Sequence, residues 1–263
     1  MKIAIAINGE GKGHFSRCYA LAEVLETAHD LVFFAPEHVC SELASRFPLC
    51  TVRMIPYFHF VQHGFSIDYP RTIAQNASLF LNAQPVIGDV ARALVREGVD
   101  AVLSDFEPFT SRAANTLKIP VLQLNHPGIV MRTGEWSLHS LAARIVSRYM
   151  MEGADKTVLC SFFDGDVGPI LRSELRNATV SRGDYFVVYQ KDRYKEILKP
   201  VLQKAGYLTL LWAPGKNLNG VDVGMKIHIR FFYSDKSFNG GPVDHALVIK
   251  AFLQLARSDR HIL

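Results

Sequence analysis

Apolar residues along the chain follow two alternating patterns. Short runs of consecutive apolar residues, typical of strands buried on both faces, are separated by longer segments in which apolar residues recur every three or four positions, as in helices that bury one side. The alternation continues to residue 161 and predicts strands over residues 3–7, 30–35, 50–55, 100–105, 120–125 and 156–161, and helices over residues 14–25, 37–47, 78–97, 111–117 and 137–151. Pro85 is expected to kink the helix over residues 78–97.

This order of elements predicts an α/β fold, a doubly wound parallel sheet of the Rossmann-like type with helices on both faces. Such sheets bind their ligands at the carboxyl ends of the strands. Residues that follow those strand ends are therefore the first candidates for a functional site.

The alternation breaks after residue 161. Glycine, aspartate and proline interrupt residues 166–183, which we interpret as a linker with a short helical patch. A second unit then begins with a predicted strand, helix and strand, but it has fewer residues than a typical domain of roughly 100–150. We therefore predict an N-terminal domain over residues 1–165 and an incomplete C-terminal α/β domain over residues 184–263.

Composition narrows the class of protein. Of the 263 residues 49% are apolar, so the chain can bury a substantial core, and its formal net charge of +4 is spread along the chain rather than gathered in a nucleic-acid-binding block. The four cysteines follow no metal-binding spacing, and no run of about 18 apolar residues indicates a membrane span. We expect a cytoplasmic protein that binds no nucleic acid.

A glycine-rich turn, GEGKGH, joins the first predicted strand to the first predicted helix. Gly11 and Gly13 let a ligand approach the backbone, and the free N–H groups of the following helix favour an oxyanion or a phosphate. A dinucleotide-binding fingerprint would need a third glycine at the position of His14. The helix dipole disfavours the charged form of an imidazole there, so His14 is a candidate general base. The alternative is a tight turn that binds no ligand.

Asp105 ends the predicted strand over residues 100–105. If that strand lies beside the first one, Asp105 reaches the same edge of the sheet as His14. A carboxylate there would fix the tautomer of the imidazole and stabilise its protonated form. The alternative is that Asp105 caps the following helix, a role compatible with the first.

The connection over residues 56–70, PYFHFVQHGFSIDYP, is long and rich in aromatic residues. Long loops on the ligand side of a sheet commonly bind substrates, so we predict an acceptor-binding wall that includes Phe58, His59 and His63. Packing against the sheet is the alternative. His59 and His63 have the spacing of a metal-binding pair, but no acidic residue follows the first histidine, so no metal site is expected.

Three further polar residues lie near the predicted ligand edge. Glu107 follows Asp105, and Asn125 and His126 follow the strand over residues 120–125. We predict that they contact the acceptor, although turn chemistry also explains an Asn-His-Pro sequence. Arg17 could hold an anion, but lone arginines are usually solvated.

Four segments, in their order and spacing, resemble a known family. GEGKGHFSRCYALAEVL follows the first strand, VLSDFEP lies near residue 105, PVLQLNHPG near residue 125, and YFVVYQKDRYKEIL opens the second unit. Together they are similar to the two-domain nucleotide-sugar glycosyltransferases of the GT-B fold, and within that superfamily to the UDP-glycosyltransferases and the peptidoglycan N-acetylglucosaminyltransferase. The resemblance covers residues 1 to about 165 and the start of the second unit.

The resemblance implies an inverting sugar transfer that needs neither a metal nor a cofactor. His14, oriented by Asp105, would remove a proton from an acceptor hydroxyl. The donor would be a nucleotide-sugar such as a UDP-sugar, held mainly by the second domain, where Gly240 and Gly241 precede a predicted helix and Asp244 stands at the position of the ribose-binding acid. The acceptor would be a glycan or a lipid-linked molecule, which implies a peripheral contact with the inner face of the membrane.

Two other functions remain open from the sequence. The short second unit is compatible with a catalytically silent module that binds a glycan or a lipid. The glycine turn by itself is compatible with an NAD-dependent oxidoreductase.

Overall fold

The computed structural model describes residues 1–63 and 66–179. The strands in these ranges are β1 (Lys2–Ile7), β2 (Asp30–Ala35), β3 (Thr51–Met54), β4 (Gln62–His63), β5 (Ser66–Ile67), β6 (Ala101–Asp105), β7 (Val121–Asn125) and β8 (Lys156–Leu159). The α-helices are α1 (Lys12–Leu25), α2 (Glu37–Arg46), α3 (Tyr69–Gln75), α4 (Ala77–Leu81), α5 (Ala83–Glu97), α6 (Pro108–Thr116), α7 (Leu138–Met150) and α8 (Ser173–Arg176). A short 3-10 helix, Pro127–Met131, follows β7.

Six strands form one parallel sheet in the order β3-β2-β1-β6-β7-β8. The chain builds outward from β1 to β3 and then returns to start again at β6, on the other side of β1. The strand order therefore reverses between β1 and β6, where Ile7 lies opposite Asp105. In doubly wound sheets the crevice at this reversal is the usual ligand site.

Two apolar cores lie on opposite faces of this sheet. One packs α1 and α2 against the sheet through residues such as Phe15 and Leu43, and the other packs α5 and α6 through Leu94 and Phe109. Successive side chains of a strand point to opposite faces, so the fully buried β1 supplies both cores. The predicted doubly wound α/β class is confirmed for the described residues.

The predicted helix over residues 78–97 is two helices. α4 ends at Leu81 and α5 begins at Ala83, so the break falls at Asn82. Pro85 lies in the first turn of α5, where the N–H groups have no partner within the helix and the missing N–H of proline costs little. The expected interruption by Pro85 is therefore present as a break, because a proline excludes the carbonyl group four residues earlier, that of Leu81, from a continuous helix, and α4 ends at Leu81.

The connection between β3 and α4 holds elements that the apolar pattern does not predict. β4 and β5 form a separate antiparallel pair. α3 begins after Asp68, whose carboxylate accepts a hydrogen bond from the N–H of Arg71 at 3.1 Å. This N-cap starts a helix without a long apolar period, because the side chain satisfies one of the free N–H groups.

The predicted linker is described as far as residue 179 and contains α8, the expected helical patch. Ser173 at the start of α8 donates its hydroxyl to Glu23 of α1 at 2.9 Å, which ties this segment to the first domain. The predicted second domain, residues 184–263, lies outside the described residues, so the domain boundaries stay a prediction. In the part of the chain that the structure describes, no helix is long and apolar enough to cross a membrane.

Candidate active site

The reversal of strand order places the turn after β1 beside the end of β6. The N–H of Asn8 donates to the carbonyl oxygen of Asp105 at 3.2 Å, so the two chain segments stay paired beyond the ends of the strands. α1 starts four residues later and presents His14 on its first turn. The fold therefore brings His14 and Asp105 together, as the sequence predicts.

The turn itself requires glycine at two positions. Gly9 has φ of 74°, and a Cβ atom there would lie 2.5 Å from Cγ of Pro36, so the turn packs closely against the start of α2. Gly11 has φ of 79° and caps α1, with no atom within 4 Å of the place where its Cβ would stand. Gly13 lies in the first turn of α1, which has neither an acidic side chain nor a side-chain cap. The N–H groups of this turn are therefore suited to an anion.

The imidazole Nδ1 of His14 lies 2.9 Å from Oδ1 of Asp105. An ionised carboxylate only accepts hydrogen bonds, so a favourable contact requires the proton on Nδ1. This assigns the neutral tautomer whose lone pair is on Nε2. The side chain of His14 keeps 10% of its surface exposed whereas Asp105 keeps 1%, so the ring is accessible and the carboxylate is not.

Arg17 holds the same carboxylate from its other side. Its Nε donates to Oδ2 of Asp105 at 3.0 Å and its Nη2 donates to Oδ1 at 2.9 Å. The thiol of Cys18 donates weakly to Oδ2 at 3.8 Å. His14, Arg17 and Cys18 can share one carboxylate because residues three and four apart lie on one face of a helix. The expectation that Arg17 is solvated is wrong, since its side chain is 15% exposed.

These partners keep Asp105 ionised. Burial by itself would raise the pKa of this carboxyl, but the positive charge of Arg17 and the hydrogen bonds from His14 and Arg17 hold the pKa of Asp105 below its ordinary value. Burial opposes the charge on Arg17 as well, yet Asp105 raises the pKa of the guanidinium. Burial raises the pKa of the Cys18 thiol and raises that of Cys160 to about 11, so both thiols are protonated at neutral pH.

Phe106 follows Asp105 in a conformation that is rare for residues other than glycine. Its φ is 57°, and its N–H donates to Oε1 of Gln123 at 3.1 Å. Its ring is stacked on that of His14, with 6.3 Å between the centroids. A left-handed residue costs about 1–2 kcal/mol, and such strain occurs most often at functional sites.

Glu107, and not Asp105, caps α6. Its carboxylate accepts hydrogen bonds from the N–H groups of Phe109 and Thr110, both at 2.7 Å. The capping role considered for Asp105 is therefore wrong. Glu107 is also fully buried, which raises the pKa of its carboxyl, so the prediction that Glu107 contacts an acceptor is wrong as well.

Phe58 packs in the core. Its side chain is 2% exposed, and its ring centroid lies 5.0 to 5.6 Å from those of Phe80, Phe109 and Tyr149. No surface is left for an acceptor, so the prediction for Phe58 is wrong and the packing alternative applies to it.

His59 lies beside the glycine turn. Its Nδ1 is 3.0 Å from Oε2 of Glu10, which stands between the two left-handed glycines. Both His59 and His63 are exposed. Their predicted contact with an acceptor stays a prediction.

Asn125 and His126 differ in their surroundings. Asn125 is fully buried, and its Oδ1 accepts a hydrogen bond from the N–H of Gly128 at 2.8 Å, so turn chemistry explains it and the predicted acceptor contact is wrong. His126 is exposed, and its Nδ1 donates to the carbonyl oxygen of Cys160 at 3.0 Å. An acceptor contact at His126 stays a prediction.

The predicted donor-binding residues Gly240, Gly241 and Asp244 lie outside the described residues. Within residues 1–63 and 66–179, no three His, Cys, Asp and Glu side chains come together in a way that could hold a metal ion.

Sequence reasoning missed two contacts at this site. The contact between Arg17 and Asp105 had a signal, because Arg17 follows His14 by three positions on a predicted helix and therefore faces the same strand end. The contact between Glu10 and His59 joins residues 49 positions apart across two loops, for which no periodic pattern exists.

Solved structures with a similar fold come from several enzymes. Arabidopsis thaliana UGT89C1 complexed with UDP is 14% identical, with a TM-score of 0.48, and the match covers 78% of this chain and 65% of that one. MurG from Acinetobacter baumannii is 17% identical, with a TM-score of 0.35 and coverages of 62% and 41%. The UDP-GlcNAc 2-epimerase from Methanocaldococcus jannaschii is 10% identical, with a TM-score of 0.34 and coverages of 61% and 40%. This chain therefore spans less than two thirds of the length of each.

Sequence comparison gives the family. No match was found among curated proteins. The model of glycosyl transferase family 1 matches residues 1–244, which is most of the chain and includes the glycine turn, His14, Arg17 and Asp105. The chain belongs to glycosyltransferase family 1.

Proposed function

We propose that this protein transfers a sugar from a nucleotide-sugar, such as a UDP-sugar, to a hydroxyl group of an acceptor. Membership of glycosyltransferase family 1 supports the class of reaction. The observation that carries the proposal is the 2.9 Å contact between Nδ1 of His14 and Oδ1 of Asp105, at the edge of the sheet where ligands bind.

His14 acts as the general base in this proposal. Because Nδ1 holds its proton against Asp105, Nε2 has the lone pair that takes the proton of the acceptor hydroxyl. The acceptor oxygen then forms a bond to the anomeric carbon while the bond from that carbon to the phosphate oxygen breaks, and its electron pair leaves with the nucleoside diphosphate. Attack from the side opposite the leaving group inverts the configuration of the sugar. A positioned base of this kind accelerates a reaction by roughly 10²- to 10⁴-fold.

Asp105 supports the base in two ways. It fixes the tautomer of the imidazole before the reaction, and its negative charge stabilises the imidazolium that forms when the proton is transferred. Because Asp105 is buried and rigidly held, this stabilisation needs no rearrangement during the reaction.

In this proposal the donor diphosphate binds at the first turn of α1. Gly11 leaves the backbone uncovered, and the N–H groups of Gly13 and its neighbours are available to phosphate oxygens. By the family resemblance, the second domain holds the rest of the donor, with Gly240 and Gly241 at the phosphates and Asp244 on the ribose. Neither a metal nor an organic cofactor takes part in the proposed reaction.

The acceptor is proposed to lie against the first domain, near the exposed histidines His59, His63 and His126. The family resemblance implies a glycan or a lipid-linked acceptor, and a lipid-linked acceptor would place the protein in the cytoplasm with a peripheral contact at the inner membrane face.

Isothermal titration of the full chain with UDP tests donor binding. We expect saturable binding with a dissociation constant of about 1 μM to 1 mM, the usual range of KM for enzyme substrates. Asp244→Asn should weaken binding about tenfold or more, whereas the control Asp89→Asn, at an aspartate of α5 whose side chain is 71% exposed, should not change it. Absence of binding by UDP and by the other nucleoside diphosphates would contradict the proposal, and quenching of protein fluorescence by NADH would favour an oxidoreductase.

A further inference from the structure

Arg17 has no part in the reaction as described so far, although it makes two hydrogen bonds to Asp105. Its guanidinium binds the carboxylate side-on, and Nη2 also lies 3.2 Å from Nδ1 of His14. Nδ1 already donates its proton to Asp105, so this last contact places a positive charge beside the ring without a hydrogen bond between them.

We propose that Arg17 is a positioning residue that keeps the His14 ring unprotonated, and therefore able to act as a base, by neutralising the carboxylate that orients it. This inference deepens the proposed function and rests on it for the role of His14. Arg17 itself touches neither the acceptor nor the donor in this proposal, and acts only through Asp105 and the ring.

A buried carboxylate beside an imidazole favours the charged form of the ring. A carboxylate with 1% of its surface exposed has lost most of its hydration, and it gains most from a positive charge at contact distance. Without another cation, this carboxylate favours the protonated form of the imidazole beside it. A ring that is already protonated cannot accept the proton of the acceptor hydroxyl.

Arg17 supplies the missing charge. Arg17 offsets part of the charge of Asp105, so the carboxylate still stabilises the imidazolium that forms in the reaction but attracts a proton to the ring less strongly beforehand. The charge of Arg17 is secure because its guanidinium stays protonated at any pH at which the protein is folded. The two hydrogen bonds from Arg17 also hold the carboxylate of Asp105 in the orientation in which its Oδ1 accepts a hydrogen bond from Nδ1 of His14.

The other described groups around this cluster do not alter its charge. Cys18 comes from the same face of α1 and Cys160 from the residue after β8, and burial keeps both thiols protonated. Phe106 covers the ring from β6 and has no charge. Among the described side chains of this cluster, Asp105 and Arg17 are therefore the charged groups in contact with His14.

The test follows the His14 ring directly. The Cε1–H signal of His14 is recorded by NMR against pH in the full chain, and it is assigned among the ten histidines by its loss in His14→Gln. In Arg17→Met, the midpoint of the His14 titration should rise by about one pH unit or more, the effect expected of an opposite charge left unbalanced at contact distance. In Arg17→Lys, which keeps the charge, the midpoint should stay close to that of the wild type.

Arg112→Met is the matched control. The side chain of Arg112 is 13% exposed and pairs with Glu152 rather than with Asp105, so its removal should leave the His14 midpoint unchanged. If Arg17→Met does not fold, Arg17→Gln replaces it, because the amide keeps a donor for Asp105 without the charge. A purely structural Arg17 would lower the melting temperature without moving the midpoint, and an unchanged or lowered midpoint in a folded uncharged variant would overturn the inference.

The same variants separate this inference from the proposed function. The titration needs no substrate, so it gives an answer even if no sugar is transferred. Where transfer is measured, the acid limb of the pH profile of kcat/KM should move to higher pH in Arg17→Met by the same amount as the NMR midpoint.

Discussion

Asp105 combines almost complete burial with a full negative charge, and this combination links the stability of the protein to pH. Its pKa in the folded state lies below the ordinary value because Arg17 and His14 outweigh the effect of burial. In the unfolded chain the pKa returns to about 3.9. The ionised carboxylate therefore stabilises the fold above that value, and the contribution is lost as the pH falls through the lower pKa of the folded state.

Asp105→Asn should consequently destabilise the protein in a pH-dependent way. At pH 7 we expect a loss of about 3 kcal/mol in the free energy of unfolding, because Arg17 is left as a buried cation without its carboxylate. The difference between wild type and variant should shrink below about pH 4, where the wild-type carboxyl also becomes neutral. Urea unfolding of both proteins at pH 7, 5 and 3 measures this difference in the free energy of unfolding.

Asp89→Asn is the control for this experiment. Asp89 also pairs with an arginine, Arg92, but its side chain is 71% exposed, so its removal should cost less than about 1 kcal/mol at every pH. A loss in Asp105→Asn that is the same at pH 7 and pH 3 would contradict the assignment of a lowered pKa to Asp105.

At the scale of elements, the site depends on how the chain leaves β1 and enters α1. Gly9 and Gly11 both have positive φ, but a Cβ at Gly9 would overlap Pro36, whereas the space at Gly11 is open. The turn is therefore fixed against α2 at Gly9 and left accessible at Gly11. This is the arrangement that a ligand-binding turn needs, since one side must be rigid and the other uncovered.

Alanine substitutions at these two glycines should separate the two effects. Gly11→Ala should cost about 1–3 kcal/mol in the free energy of unfolding, because the backbone there, with φ of 79° and ψ of 165°, lies in a region open almost only to glycine. Gly9→Ala should cost more, since the same backbone penalty adds to a contact of 2.5 Å with a proline ring that cannot rotate away. Chemical denaturation of both variants gives the comparison, and equal losses would contradict the close packing of the turn on α2.

Most of the elements could be predicted from the sequence, and the exceptions have physical causes. β2 coincides with the predicted strand because all its residues after Asp30 are buried, which produces a continuous apolar run. The apolar pattern does not predict α3, because seven residues are too few for a clear helical period, and its signal is the N-cap Asp68 instead. It does not predict the hairpin of β4 and β5, because two-residue strands have no period. The break at Asn82 lies within one turn of Pro85, where the sequence predicts an interruption, but the apolar pattern does not give its position because residues on both sides of it continue the helical period.

The site could be predicted to the extent that it depends on topology. Parallel strands that end at one edge bring His14 and Asp105 together, and that requires only the order of the elements. The sequence could not distinguish exposed polar residues from buried ones at the same edge, so Glu107 and Asn125 were assigned to an acceptor when they hold the backbone. Burial of a polar side chain depends on packing from distant segments, which a local pattern does not contain.

For the whole molecule, one edge of one sheet brings together His14, Asp105 and the glycine turn, all within the described residues. The family match extends from residue 1 to residue 244, beyond the described residues. A transferase and a silent glycan- or lipid-binding module on this fold would differ in one respect, which is the need for His14.

The most direct measurement is the rate of UDP release from UDP-sugars by the full chain in the presence of glycan and lipid-linked acceptors, for wild type and His14→Ala. We expect His14→Ala to lose at least about 10²-fold in rate, because the general base is removed, while UDP binding by isothermal titration is unchanged. The control His139→Ala, an exposed histidine on α7, should keep the wild-type rate. Wild-type turnover by His14→Ala would contradict the account, because the reaction would then proceed without the residue on which it is built.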